Sequence, residues 1–276
     1  MSEIINSAFT QVGETKIHYL HAGKGETILF LHGWPTSSYL WRNLIPKLAE
    51  KYRVIAIDLP GFGKSDKKPQ DSYSFRYYER IIDGFLENLG IERLTLGVHD
   101  LGGPLGLYWM VTHMDQVNRL ILFNTLVYPQ FSNAVKLFGL ATYLPGIRHY
   151  LSSPSGIKKA MLFGIYQREK LSEEAIQTYQ SPFPDSNSRK ALLKTVQRLS
   201  IKGFEEISAK LGTFTGPVQL LYGEADKILP NVAGTMQRVK KDLPQANIKS
   251  YPNCGHFLQE EIPNELSEAI MHFMES

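Results

Sequence analysis

The chain has 276 residues, 43% hydrophobic and 21% charged, a composition that fits one large globular domain and excludes a disordered or repetitive one. Its 30 basic and 27 acidic residues are scattered, so the formal charge of +3 excludes a dense nucleic-acid-binding surface. The single cysteine, Cys254, excludes an intrachain disulfide, and no run approaches the roughly 18 apolar residues of a membrane span.

Met1-Ser2-Glu3-Ile4 lacks the basic and apolar regions of a secretion leader. The expectation is a cytoplasmic protein without nucleic-acid or membrane partners, monomeric or dimeric. Ala8 to Val12 and Lys16 to His21 flank Gly13-Glu14-Thr15 and read as an antiparallel hairpin at a sheet edge. Compact apolar runs follow at Thr27–Leu31, Arg53–Ile57, Leu94–Val98 and Leu120–Phe123. Helical patterns separate them at Trp41–Ala49, Arg76–Leu89 and Leu105–Thr112. Strands that are apolar on both faces and alternate with helices predict a mostly parallel sheet of eight strands covered by helices on both sides.

The alternation stops after Asn124. From 127 to 211 helical patterns are punctuated by prolines, and the strand signal returns at Val218–Tyr222 and Ile248–Tyr251. The pattern predicts a core domain of residues 1–126 and 212–276, with 127–211 inserted after the sixth strand as a helical lid over the strands' carboxyl ends.

Ligands gather at the carboxyl ends of parallel strands, so the polar residues just beyond each strand carry the chemistry. Val98-His99-Asp100-Leu101-Gly102-Gly103 has the form of a nucleophile elbow, with aspartate where serine commonly stands. Asp226 follows the next returning strand and His256 the last, which gives the chain order nucleophile, acid, histidine. Gly63-Lys64-Ser65 imitates the end of a phosphate loop, but Asp58 stands where that loop needs glycine. His32 and His99 read as buried histidines tying loops together, and no metal-ligand pattern surrounds them.

Phe30-Leu31-His32-Gly33-Trp34-Pro35, Asp58-Leu59-Pro60-Gly61-Phe62-Gly63 and the aspartate elbow resemble the haloalkane dehalogenase and epoxide hydrolase branch of the α/β-hydrolases. The resemblance runs nearly the whole chain, through Tyr179-Gln180-Ser181-Pro182-Phe183-Pro184-Asp185 to Gly255-His256-Phe257. It implies an α/β-hydrolase fold and an enzyme without cofactor or metal, acting with water on a small apolar organic substrate. Asp100 would attack an sp³ carbon, His256 would activate water against the resulting ester, and Asp226 would orient His256. The backbone N–H groups of Trp34 and Leu101 would form the oxyanion hole, with the peptide bond before Pro35 cis.

The leaving group divides the branch. Dehalogenases place a tryptophan directly after the nucleophile, where this chain has Leu101, and add a second N–H donor for which Trp34 is the candidate. Epoxide hydrolases use lid tyrosines as acids. Tyr128, Tyr143, Tyr150, Tyr166 and Tyr179 are available either for that role or for packing, with Tyr128 and Tyr166 taken as substrate contacts. The usual second tyrosine position falls in Thr195-Val196-Gln197-Arg198. Asn124 is a further substrate or water contact, or a strand cap. Haloalkane dehalogenation leads and epoxide opening follows. A cofactor-free oxygenase and a non-enzymatic ligand receptor are the alternatives of other classes.

Overall fold

The computed structural model describes residues 4–276, and the reading of Met1 to Glu3 lies outside the described residues. The strands are β1 (Asn6–Val12), β2 (Thr15–Ala22), β3 (Thr27–Leu31), β4 (Arg53–Ile57), β5 (Leu94–Asp100), β6 (Val117–Thr125), β7 (Val218–Gly223) and β8 (Asn247–Tyr251). They form one sheet in the order β1-β2-β4-β3-β5-β6-β7-β8, parallel except where β2 runs against β1 and β4. The whole of β3 and Leu94 to His99 of β5 are buried, as a sheet covered on both faces requires.

The chain moves outward in one direction from β3 to β4 and in the other from β5 to β6. The neighbours β3 and β5 therefore mark the point where strand order reverses, and a crevice opens beyond their carboxyl ends. That crevice receives His32-Gly33-Trp34 from one strand and Asp100 from the other.

Helices α1 (Ile45–Leu48), α2 (Phe75–Asn88) and α3 (Gly102–Met110) connect the strands up to β6. The helix expected over Trp41–Ala49 divides into a 3₁₀ turn, Ser38–Trp41, and the short α1. Pro46 accounts for the division. It has no N–H to give to a preceding turn, but it fits the first turn of a new helix, where it sits.

Between β6 and β7 the described residues are all helix and turn. They comprise α4 (Asn133–Ala141), α5 (Ile147–Leu151), α6 (Pro154–Gly164), α7 (Glu173–Gln180), α8 (Ser186–Gln197) and α9 (Ile201–Lys210). Ser132, Ser153, Ser172, Asp185 and Ser200 begin five of these helices, each side chain accepting a backbone N–H from the first turn. Helices α10 (Val232–Asp242), α11 (Leu258–Glu261) and α12 (Pro263–Glu275) complete the fold.

Asp58, just after β4, is buried and fills the Gly63-Lys64-Ser65 turn with its carboxylate. It accepts from the amides of Ser38 (2.6 Å) and Lys64 (2.7 Å) and from Nδ1 of His18 (2.7 Å). A Cβ at Gly63 would collide with that carboxylate. The turn is occupied by an anion of its own, which is why it does not serve as a phosphate loop.

Candidate active site

Asp100 ends β5 with φ +48°, a left-handed conformation costly for any residue but glycine. The surrounding structure holds it there. A Cβ at Gly33 would strike the Asp100 side chain, and one at Gly102 would strike the backbone of Leu31 and His32, so both must be glycine for the elbow to approach β3. Thr125 Oγ1 donates to the Asp100 carbonyl at 2.7 Å. The sharp turn lifts the carboxylate into the crevice, where the Trp34 amide donates to Oδ1 at 2.7 Å. The Leu101 amide, next in the chain, helps hold the proton affinity of the same carboxylate down. The Trp34–Pro35 peptide bond is cis.

Behind Asp100 stands His256, wholly buried, with Nε2 3.4 Å from Asp100 Oδ2 and Nδ1 2.8 Å from Asp226 Oδ2. The first distance is long for a hydrogen bond, and Nε2 has no hydrogen-bond partner. Asp226 Oδ1 accepts from the amides of Ile228 and Leu229, both at 2.8 Å, which fixes the carboxylate's orientation. The loop carrying His256 is pinned from two sides. Its own amide donates to the Gly164 carbonyl of α6 at 2.7 Å, and Glu261 accepts from the amides of Gly255, Tyr166 and Gln167. Glu261 gave no signal in the sequence, because two of its three partners, Tyr166 and Gln167, lie more than ninety positions away.

Burial alone would lower the proton affinity of His256, but the carboxylates of Asp226 and Asp100 outweigh it and raise its pKa to about 10. Burial pushes Asp100 and Asp226 up, and the imidazole together with their N–H donors brings both below the ordinary carboxylate range. His99 moves the opposite way, to about 3, through burial and the neighbouring His256. It therefore stays neutral and donates from Nε2 to the His256 carbonyl at 2.9 Å. His32 lies against Leu59, accepting its amide at Nε2 (3.1 Å), and bonds the Gly33 carbonyl through Nδ1. Both histidines tie loops together.

A cavity of about 690 Å³ opens above Asp100. Trp34, Asp100 and Leu101 line it at the elbow, side chains such as Phe131, Phe138, Val196 and Ile228 make most of its wall apolar, and Lys136, Lys159, Arg168 and Lys227 are the cations among its lining residues. Asp100 supplies the carboxylate among the described lining residues, and Trp34 Nε1 is buried without a partner. Three residues expected to touch substrate lie elsewhere. Tyr128 is buried, donates to Asp242 (2.6 Å) and lies under Arg238. Tyr166 is half exposed, and its contribution is the backbone amide on Glu261. Asn124 is buried at the end of β6, where it donates to Asp226 Oδ2 at 2.6 Å and accepts from the Gly223 amide at 2.9 Å. Of the remaining tyrosines, Tyr179 is buried against Glu260 and Tyr143 reaches the Gln197 carbonyl, while Tyr150 lines the cavity.

An eight-stranded, mostly parallel sheet with a strained carboxylate at the elbow and an acid–histidine pair behind it defines an α/β-hydrolase. The family model described as alpha/beta hydrolase fold matches residues 26–263, and the chain belongs to that family. It is similar to the uncharacterized hydrolase YugF of Bacillus subtilis, 30% identical over 260 residues that cover 93% of this chain and 92% of that one. Among solved structures it is similar to haloalkane dehalogenase DbeA from Bradyrhizobium elkani, with a TM-score of 0.88, 25% identity and coverage of 99% and 98%. It is also similar to the epoxide hydrolase CorEH, with a TM-score of 0.85, 25% identity and 99% of each chain covered. The protein is a hydrolase of the branch that holds both activities.

Proposed function

We propose that the protein cleaves a carbon–halogen bond of a small apolar substrate through an ester formed on Asp100. Oδ2, the carboxylate oxygen nearer His256, attacks the sp³ carbon, and the halide departs with the bonding pair. His256 then removes a proton from water, and the hydroxide attacks Cγ of the ester. The negative charge collects on Oδ1, where the amides of Trp34 and Leu101 receive it. Collapse expels the alcohol oxygen, formerly Oδ2, which takes the proton from His256; the carboxylic acid left on Asp100 then gives up the second proton of the water, which leaves with the halide, and the carboxylate is regenerated.

The observation that carries this reading is the Trp34 amide 2.7 Å from Asp100 Oδ1, with His256 on the side of Oδ2. One oxygen is already in an oxyanion hole while the other is free to attack. Charge supports the order of steps. In the free enzyme two carboxylates raise the proton affinity of His256. Forming the ester removes the charge of Asp100, so the imidazole becomes a base suited to water activation near neutral pH.

The partnerless Trp34 Nε1 favours halide over epoxide oxygen. An indole N–H can solvate a departing anion but is far too weak an acid to protonate an alkoxide. Epoxide opening is the second reading, because Tyr150 also lines the cavity. Incubating His256→Ala with chloroalkanes, bromoalkanes and epoxides and weighing the intact protein separates the two. A stable adduct from haloalkanes alone supports the first reading, and an adduct from epoxides alone supports the second. With neither adduct, and p-nitrophenyl ester hydrolysis surviving Asp100→Asn, the covalent mechanism fails.

A further inference from the structure

The helical insertion presents an apolar surface to solvent. No residue of α4 or α5 is buried. Leu137 and Leu140 are 66% and 56% exposed, and Leu144, Ile147 and Tyr150 are also open. Leu137 and Leu140 lie one turn apart on α4, and Leu144 and Ile147 follow in the turn and at the start of α5, so the exposed apolar residues form a stripe along one segment of chain and are not scattered over the surface. The inner side of α4 is already satisfied, with Val135 and Phe138 facing the cavity and Phe138 edge-on to Trp34 at 4.9 Å. Leu137 also reaches the cavity's edge, but Leu140, Leu144 and Ile147 are not among its lining residues, and exposed apolar side chains gathered in this way mark a contact with something apolar.

Charge narrows what that contact is. From 127 to 172 the sequence holds six basic residues, Lys136, Arg148, Lys158, Lys159, Arg168 and Lys170, against one carboxylate, Glu169. This excess is larger than the +3 of the whole chain, so the remainder of the protein is net acidic. Among the described residues, Lys158 pairs with Glu173, and the other five basic side chains form no salt bridge. Lys136 and Arg148 lie on α4 and α5 themselves, and Lys136, Lys159 and Arg168 line the same cavity as Leu137 and Tyr150, so unpaired cations accompany the exposed apolar residues, the signature of a surface that lies on an anionic bilayer. A second copy of the same face would bring like charges together, which opposes self-association.

We propose that the outer face of α4 and α5 docks the protein on an anionic lipid surface, with the apolar stripe in the headgroup boundary and the cations against the phosphates. The cavity mouth opens through the same face, since Lys136, Leu137, Tyr150, Lys159 and Phe163 are both exposed and cavity-lining. Docking therefore sets the entrance against the bilayer, where apolar compounds concentrate. Sequence reading expected no membrane partner because it found no span. Among the described residues no helix is long and apolar enough to cross a membrane, but lying on a bilayer requires none.

Co-sedimentation with vesicles tests this. The chain is expected to bind vesicles of equal parts phosphatidylcholine and phosphatidylglycerol roughly tenfold or more tightly than pure phosphatidylcholine, and to be released by salt. Leu140→Glu with Ile147→Glu should abolish binding while leaving the circular dichroism melt unchanged, because both side chains are exposed. Lys136→Glu with Lys159→Glu should weaken it to the phosphatidylcholine level. Asp100→Asn should bind as the natural chain does, which keeps this proposal separate from the covalent mechanism. Equal or absent binding to the two vesicle types would overturn it, as would a concentration-dependent dimer that the leucine–isoleucine double variant disperses.

Discussion

Asn124 Nδ2 and His256 Nδ1 converge on the same oxygen, Oδ2 of Asp226, at 2.6 and 2.8 Å. The amide thus shares the catalytic acid candidate with the imidazole and, through its own carbonyl, fixes β7 at Gly223. Asn124→Ala removes a hydrogen bond to a buried charge, worth about 1.5–3 kcal/mol. The expected result is a fall in kcat of roughly ten- to a hundredfold with little change in KM. The acid limb of the pH–rate profile should move upward, because Asp226 freed of a competing donor becomes more basic toward His256. A change in KM with kcat intact would place Asn124 in the substrate site after all.

Trp34 contributes two donors that a single substitution separates. Phenylalanine keeps the amide on Asp100 and deletes the indole N–H. Trp34→Phe is expected to slow alkylation about tenfold or more for chloroalkanes, and less for bromoalkanes, whose leaving group needs less help. Single-turnover kinetics read the alkylation step directly. Equal slowing for both halides would mean that the indole acts through packing alone.

Stability and activity should respond to different protonation events of His256. Its folded pKa, about 10, lies above the unfolded value near 6.5. The stability it contributes is therefore complete below about pH 6.5 and is lost as pH rises through about 10. Asp100 and Asp226 are depressed, so their contribution is present above about pH 4 and is lost as pH falls through their folded values. Denaturant midpoints should decline from pH 6.5 to 10 in the natural chain, and His256→Gln should lack that slope. The kcat profile should turn well below pH 10, because the ester no longer carries the charge of Asp100. Coincident midpoints for stability and kcat would contradict the neutralisation argument.

Asp58 is the corresponding test of the frame. Burial raises its pKa, but His18, His32 and the Lys64 amide bring it down to about 2. Asp58→Asn leaves His18 without its carboxylate and weakens the turn around Gly63. A loss of about 3 kcal/mol in urea denaturation at neutral pH is expected, with the alkylation rate of surviving protein little altered. A change below about 0.5 kcal/mol would show that the network holds nothing.

The strands were legible because burial on both faces demands unbroken apolar runs, and the helices between β6 and β7 because prolines punctuate a stretch without such runs, while the serines that cap them gave no signal. Asp100, Asp226 and His256 were legible because the fold puts polar strand ends in one crevice. The strained φ of Asp100 was not, since nothing about aspartate announces a left-handed backbone. Asn124 read equally as a water contact or a strand cap, and its partner lies 102 positions away. Tyr128 and Tyr166 lie away from the cavity because their partners, Asp242 and Glu261, are far along the chain, and aromatic residues in the insertion look alike in sequence. Leu137 and Leu140 on α4 have the spacing of a core-facing helix. Only the structure distinguishes a stripe that is buried from one that is not.

Heavy-oxygen water tests the central claim most directly. In one turnover of the natural chain with a bromoalkane, the account predicts that the label enters the carboxylate of Asp100, found by mass spectrometry of the peptide that contains it. The first alcohol released carries the enzyme's own oxygen. Label in the alcohol, with none in Asp100, would mean that water attacks the substrate directly and that no ester forms.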